Sequence, residues 1–214
     1  MNENILEITK YFVKNSLKNT ESGHDWFHIQ RVLKLSESIA NTEKCNILVV
    51  QLGALLHDIA DSKFYDGDET IGAKIAKKYL KSQNVTIEII NQVLFIINYI
   101  SFKGGHNQLE NIPIELAIVQ DADRLDAIGA IGIARSFNYG GFKNRSIYNP
   151  DIKPNIHQSK ETYKKSEAPT INHFYEKLLL LKDKMNTKKG KEMAQKRHDF
   201  MLLFLIQFYE EWEF

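Results

Sequence analysis

Three stretches of the chain carry side chains able to hold a divalent cation. "GHDWFHIQRV" (23–32) places His24, His28 and Arg31 at i, i+4 and i+7, a polar stripe along an otherwise apolar helix. "QLGALLHDIADS" (51–62) sets His57 and Asp58 side by side in the middle of an apolar helical run. An ionised carboxylate without a partner is costly there, so the pair needs something to bind. "AIVQDADRLDAIGAIGIAR" (117–135) carries Asp121, Asp123 and Asp126 into another apolar, small-residue helix. Singly, each piece has a plainer use, as a hydrogen-bonded core histidine or as aspartates capping a helix start. Together they point to one divalent ion that neutralises the carboxylates and uses the imidazoles. Mixed ligation of this kind suits manganese, iron, nickel, zinc or cobalt better than calcium, which prefers all-oxygen cages. His198-Asp199, after "AQKR" on a helix with many charges, is expected on a solvated face instead.

The elements that must position these residues are helices. Ile5, Ile8, Phe12 and Leu17 mark a first; Ile29, Val32, Leu33, Ser36, Ile39 and Ala40 form the apolar stripe of a second. Further helices are expected near 46–61, 69–82, 86–100, 114–136, 170–185 and 188–212, with Thr86 and Thr187 as N-caps. Without a convincing period-two run, the fold class is all-α. Two glycine-containing polar loops interrupt the pattern, 101–113 and 138–169, and the second is long enough to suggest a functional role. The 214 residues fit one domain.

Composition narrows the partners. A net charge of +1 gives no global attraction to nucleic acid, and Glu192 interrupts the basic run "NTKKGKEMAQKR" (186–197). The lone Cys45 excludes a cysteine-rich zinc site. No apolar run approaches the roughly 20 residues of a membrane span. The N-terminal helix is interrupted by charge and does not read as a signal peptide, so a cytoplasmic location is expected. The apolar "FMLLFLIQFYEEW" (200–212) is either core or the surface of a homodimer.

The combination His28, His57-Asp58 and Asp123, with "ALLHDI" and "DADRLDAIGAIGIAR", resembles the HD-domain metal-dependent phosphohydrolases. Within them it resembles the bacterial YedJ/YpgQ-like branch, on "GHDxxHxxRV", "ISFKGG", "VQDADRLDAIGAIG" and "NHFYEKLL". The resemblance covers almost the whole chain. It implies a single HD-type helical bundle over 1–214, its metal-binding helices within about 24–135 and its C-terminal helices, 170–212, packed on them. It also implies that His28, His57, Asp58 and Asp123 are the ligands, Asp123 being preferred to Asp121 and Asp126 for its Ala-Asp-Arg setting. His24 is the spare ligand should a second ion bind. The expected cofactor is one divalent ion, manganese first, with iron, nickel, cobalt, magnesium or zinc as alternatives.

Such an ion, with open positions, activates water and offsets charge on phosphoryl oxygens. Asp58 then counts as catalytic through the ion, and Asp61, on the same helical face, orients a ligand or holds the attacking water. One of Asp66, Asp68 and Glu69 is a candidate general acid. Arg31 and Lys63 are the favoured phosphate ligands, with Lys103, Arg124 and Arg135 as further cations near the site segments. Tyr139 and Tyr148 belong to the long loop and are expected to stack a nucleobase. The expected reaction is phosphohydrolysis of a small phosphorylated molecule, a nucleotide first. Within this branch that means pyrophosphate release from nucleoside or deoxynucleoside triphosphates. Phosphomonoesterase or cyclic-nucleotide phosphodiesterase activity would use the same ligands. A non-catalytic metal-stabilised binding module is the rival from another class, and a di-iron oxygenase would need ligands beyond those assigned.

Overall fold

The computed structural model describes residues 2–18, 25–60, 68, 70–100, 111–156 and 167–213. All regular structure among them is helical, as the apolar periodicity predicts, and no strand occurs among the described residues. The chain packs as two compact units, Met1–Ala122 and Asp123–Phe214.

The first unit is built around a helix with no polar face. Helices α1 (Asn2–Ser16), α2 (Trp26–Ala40), α3 (Ile47–Leu56), α4 (Ile71–Ser82) and α5 (Ile87–Tyr99) lead into α6 (Ile114–Asp126). Along α3, Val49, Val50 and every residue from Leu52 to Leu56 are buried, because α1, α2 and α5 all pack on it. A helix apolar on all sides belongs in a core. A Cβ at Gly53 would lie 2.7 Å from Ile96 Cδ1, so the glycine permits close approach of α5. Phe12 stacks on Tyr79 with ring centroids 4.0 Å apart, and Thr9 Oγ1 lies 3.0 Å from the Tyr79 hydroxyl, joining α1 to α4.

Two expectations change in this unit. The helix expected over 46–61 ends at Leu56, so His57 and Asp58 stand in the turn at its end rather than in its middle. The Ile59 amide closes that turn on the Leu56 carbonyl at 3.3 Å. Thr86 occupies the N-cap position of α5, but its side chain does not bond the cap amides. Its hydroxyl serves the Glu88 carboxylate, which is lowered from its ordinary value first by its own backbone N–H and then by Thr86.

The second unit contains α7 (Gly129–Phe142), α8 (Thr170–Glu176), a 3-10 segment (Leu178–Lys184) and α9 (Lys188–Trp212). Thr187 caps α9 as expected, accepting from the Gly190 amide at 2.9 Å. The single helix expected over 114–136 is two, broken at Ala127-Ile128. Gly129 takes φ +76°, a left-handed conformation that favours glycine, and a Cβ at Gly132 would lie 2.2 Å from the Ala127 carbonyl oxygen. The 138–169 loop begins later than expected because α7 continues through Gly140, where a Cβ would meet Thr170 Oγ1 at 2.1 Å. The helix expected over 170–185 gives way to the 3-10 segment after Lys177. Phe174 and Phe204 stack at 5.7 Å in the core of this unit. The C-terminal apolar stretch divides its roles: Met201 and Leu205 are buried, while Leu203 and Ile206 are 65% and 56% exposed.

Candidate metal centre

His28 sits in the first turn of α2, whose start is fixed by Asp25 accepting from the His28 amide at 2.8 Å. His57 is the residue that ends α3, and its ring is held by Nδ1, 2.9 Å from the Ala54 carbonyl oxygen. A carbonyl only accepts, so Nδ1 carries a hydrogen, and the tautomer this selects leaves Nε2 to present a lone pair. A ligand imidazole needs that tautomer, and a backbone carbonyl commonly fixes it. This Ala54 contact was not foreseen from sequence, although an i−3 carbonyl lies within reach wherever a histidine ends a helix.

The three side chains converge. His28 Nε2 and His57 Nε2 are 3.3 Å apart, and Asp58 Oδ2 lies 3.6 Å and 3.5 Å from them respectively. Both imidazoles are buried, while the Asp58 side chain is 26% exposed, so the cluster has one face toward solvent. With ligand bonds of about 2.1 Å, neighbouring donors stand about 3.0 Å apart at a right angle and about 3.4 Å apart at the tetrahedral angle. The observed triangle is close to one face of such a polyhedron. Two neutral nitrogens and one carboxylate are also the donor set a borderline divalent ion prefers. The residues therefore fit a metal, and they form the metal-ligand group found among the described residues.

The other expected residues fall into three groups. His24, Asp61, Lys63, Asp66, Glu69 and Lys103 lie outside the described residues. Arg31 is half-buried on α2, nearly one turn beyond His28. Asp121 is fully buried in α6. Asp68, one of the candidate general acids, has its ionised form favoured. Its carboxyl is held down at about 2 by the Thr70 hydroxyl, then Lys74 and the Thr70 amide, and it opens α4 as a turn residue.

In the second unit, Asp123 is half-buried on α6 and within electrostatic reach of Lys177. Lys177 is exposed as a residue, yet desolvation of its ammonium lowers its pKa, with Asp123 opposing the shift and Arg135 adding to it. His173 is pushed down to about 3, by burial first and then by Lys177 and Arg145, so its ring is neutral near pH 7. Arg124 donates to the Lys184 carbonyl at 2.5 Å. Arg135 donates to the Asp126 carboxylate at 2.6 Å and to its carbonyl at 3.2 Å, across the bend between α6 and α7. Asp126 is 1% exposed and ion-paired to Arg135, and the Arg197 guanidinium also acts on it electrostatically. Tyr139 lies on α7 rather than in a loop, with Arg145 5.6 Å from its ring centroid. Tyr148 packs edge-on against Trp212 and Tyr209 of α9, at 5.1 Å and 5.4 Å. His198, expected on a solvated face, is half-buried, and its Nδ1 is shielded without a hydrogen-bond partner among the described residues. Its neighbour Asp199 is exposed and accepts from Gln195 at 2.7 Å.

Comparison with known proteins agrees with this geometry. The HD domain family model matches residues 26–128, which include all three clustered side chains. YpgQ of Bacillus subtilis is 38% identical over 204 residues, covering 94% of this chain and 90% of the relative. The crystal structure of an HD-superfamily hydrolase from Bacillus thuringiensis is similar with a TM-score of 0.79 and 42% identity, over 100% of this chain and 99% of that one. YpgQ of Bacillus subtilis in complex with ADP is similar with a TM-score of 0.77 and 33% identity, over 99% of this chain and 97% of that one.

Proposed function

Because the chain belongs to the HD superfamily of metal-dependent phosphohydrolases, we propose that its substrate is a nucleoside or deoxynucleoside triphosphate. Water would cleave the bond between the α and β phosphates, giving a nucleoside monophosphate, pyrophosphate and a proton. The observation that carries this reading is the convergence of His28, His57 and Asp58, open to solvent on the Asp58 side. The ADP bound to YpgQ of Bacillus subtilis supports a nucleotide as the phosphorylated ligand.

In this proposal His28, His57, Asp58 and Asp123 hold the ion, with manganese the favoured metal. When bound, the ion supplies a lowered pKa for water and neutralises charge on phosphoryl oxygens. Two ionised aspartates already balance a divalent charge, so the polyanionic substrate needs cations of its own. Arg31 and Lys63 take that part, Arg31 by forked donation and Lys63 as a point charge. Lys103 is assigned beside them. Arg124 and Arg135 are left to their contacts in the second unit. Asp61 holds the attacking water and receives its proton. Leu203 and Ile206 offer the surface on which a second copy would dock.

Purified protein, stripped of metal and reloaded with each divalent ion in turn, should be assayed on a nucleotide panel with orthophosphate and pyrophosphate measured separately. Pyrophosphate from triphosphates is the expected product. Orthophosphate from monophosphates would move the assignment to a phosphomonoesterase, and opening of cyclic nucleotides to a phosphodiesterase. Lys63→Ala should raise KM for the triphosphate by roughly tenfold while leaving metal content unchanged. An unaltered KM would remove Lys63 from the substrate site.

A further inference from the structure

The second unit contains a cavity of about 250 Å³ that the proposed reaction does not use. The segment after α7 supplies Tyr148, Pro150 and Pro154, α8 supplies Tyr175, and α9 supplies Tyr209. Three phenol rings and two proline rings line it, and phenol rings are side chains on which planar rings stack. The volume falls just below the range of about 300–1,000 Å³ usual for drug-sized ligands, so the space suits a single ring system.

The walls are fixed without a ligand. Asn172 is 1% exposed, lines the cavity, and donates from Nδ2 to the Ile152 carbonyl at 2.9 Å, tying the segment to α8. Tyr148 is braced by edge contacts to Phe208, Tyr209 and Trp212. Lys153, exposed and also lining the cavity, is its cation. An apolar, ring-walled space with one solvent-accessible ammonium is complementary to a planar ring bearing a negative group.

The cavity also stands apart from the Asp123 side of the unit. Asn172 and Tyr175 are three residues apart on α8 and share a face. His173 points about 100° from Asn172 and about 160° from Tyr175, given 3.6 residues per turn, and it is His173 on which Lys177 and Arg145 act.

We propose that this cavity is a second binding site, for a planar aromatic ring carrying an anionic group. A purine nucleoside monophosphate and an aromatic carboxylate both present that chemistry. The test is calorimetric titration of the full chain with adenosine 5′-monophosphate and, separately, indole-3-carboxylate, both in excess EDTA so that metal-dependent binding is silent. At least one probe should bind, and the pair identifies which anion is accepted. Lys153→Glu should weaken that binding by about tenfold. Ile152→Trp, which fills the cavity from an exposed position, should remove it. His57→Ala should leave it unchanged. Absence of binding by both probes at millimolar concentration would overturn the proposal. So would binding that survives Ile152→Trp, or binding that His57→Ala abolishes.

Discussion

Asp58→Ala is expected to release the metal and lower turnover by at least about 10²–10³-fold, while the helical circular dichroism stays as in the parent protein. The argument rests on where the residue stands. Asp58 follows the end of α3 rather than lying within it, so its side chain can be removed without altering the helix. What disappears is the carboxylate oxygen 3.5–3.6 Å from both imidazole nitrogens, and with it the negative charge of the trio. Metal content by atomic emission and kcat on the triphosphate should fall together. A variant that keeps both at parental values would refute the ligand assignment. His57→Ala should behave in the same way, with one addition: it also deletes the Nδ1 donation to Ala54, which makes a modest loss of thermal stability the expected second effect.

Arg135→Ala should act on the fold instead of the chemistry. Asp126 is buried, and Arg135 gives it a 2.6 Å charge-assisted hydrogen bond while a second bond reaches the carbonyl of the same residue. Removing one partner of such a pair leaves a buried carboxylate undercompensated, at a cost of about 3 kcal/mol. For a chain of this size that corresponds to a Tm lower by about 6–12 °C. Arg135→Lys should recover part of the loss, since both bonds leave the single nitrogen Nη1 and an ammonium also carries several donors on one nitrogen. The measurement is thermal unfolding alongside KM. An unchanged Tm with a raised KM would return Arg135 to the phosphate-binding role its sequence position suggests.

The helical class was legible in sequence because it depends on short-range patterns, whereas the joining of His28 to His57, 29 residues on, followed only from the family resemblance. Apolar residues three and four apart placed α2, and the adjacency of His57 and Asp58 in an apolar stretch flagged a buried polar demand. The break between α6 and α7 was hidden because Leu125, Ile128 and Ile133 continue a helical apolar rhythm through it. Its cause lies in Gly129, in the close approach at Gly132 and in the Arg135–Asp126 pair. The continuation of α7 through Gly140 was equally hidden. Glycine reads locally as a helix breaker, yet here its missing side chain makes room for Thr170, thirty residues away. Cations near the site segments could be enumerated from sequence, but not their commitments. Arg124 and Arg135 each spend hydrogen bonds on backbone carbonyls that no motif announces.

The way His57 is mounted also bears on selectivity. Its ring is clamped to the buried final turn of α3, and the backbone of His28 is anchored in the capped first turn of α2. Little rotational freedom is left for these nitrogens to surrender when a cation arrives, so the donors are preorganised. A stiff triangle of that size suits first-row divalent ions, manganese included, and penalises calcium, whose bonds of about 2.3–2.6 Å must spread the donors apart. Ionic radius, as much as ligand chemistry, then sets calcium apart from the smaller divalent ions.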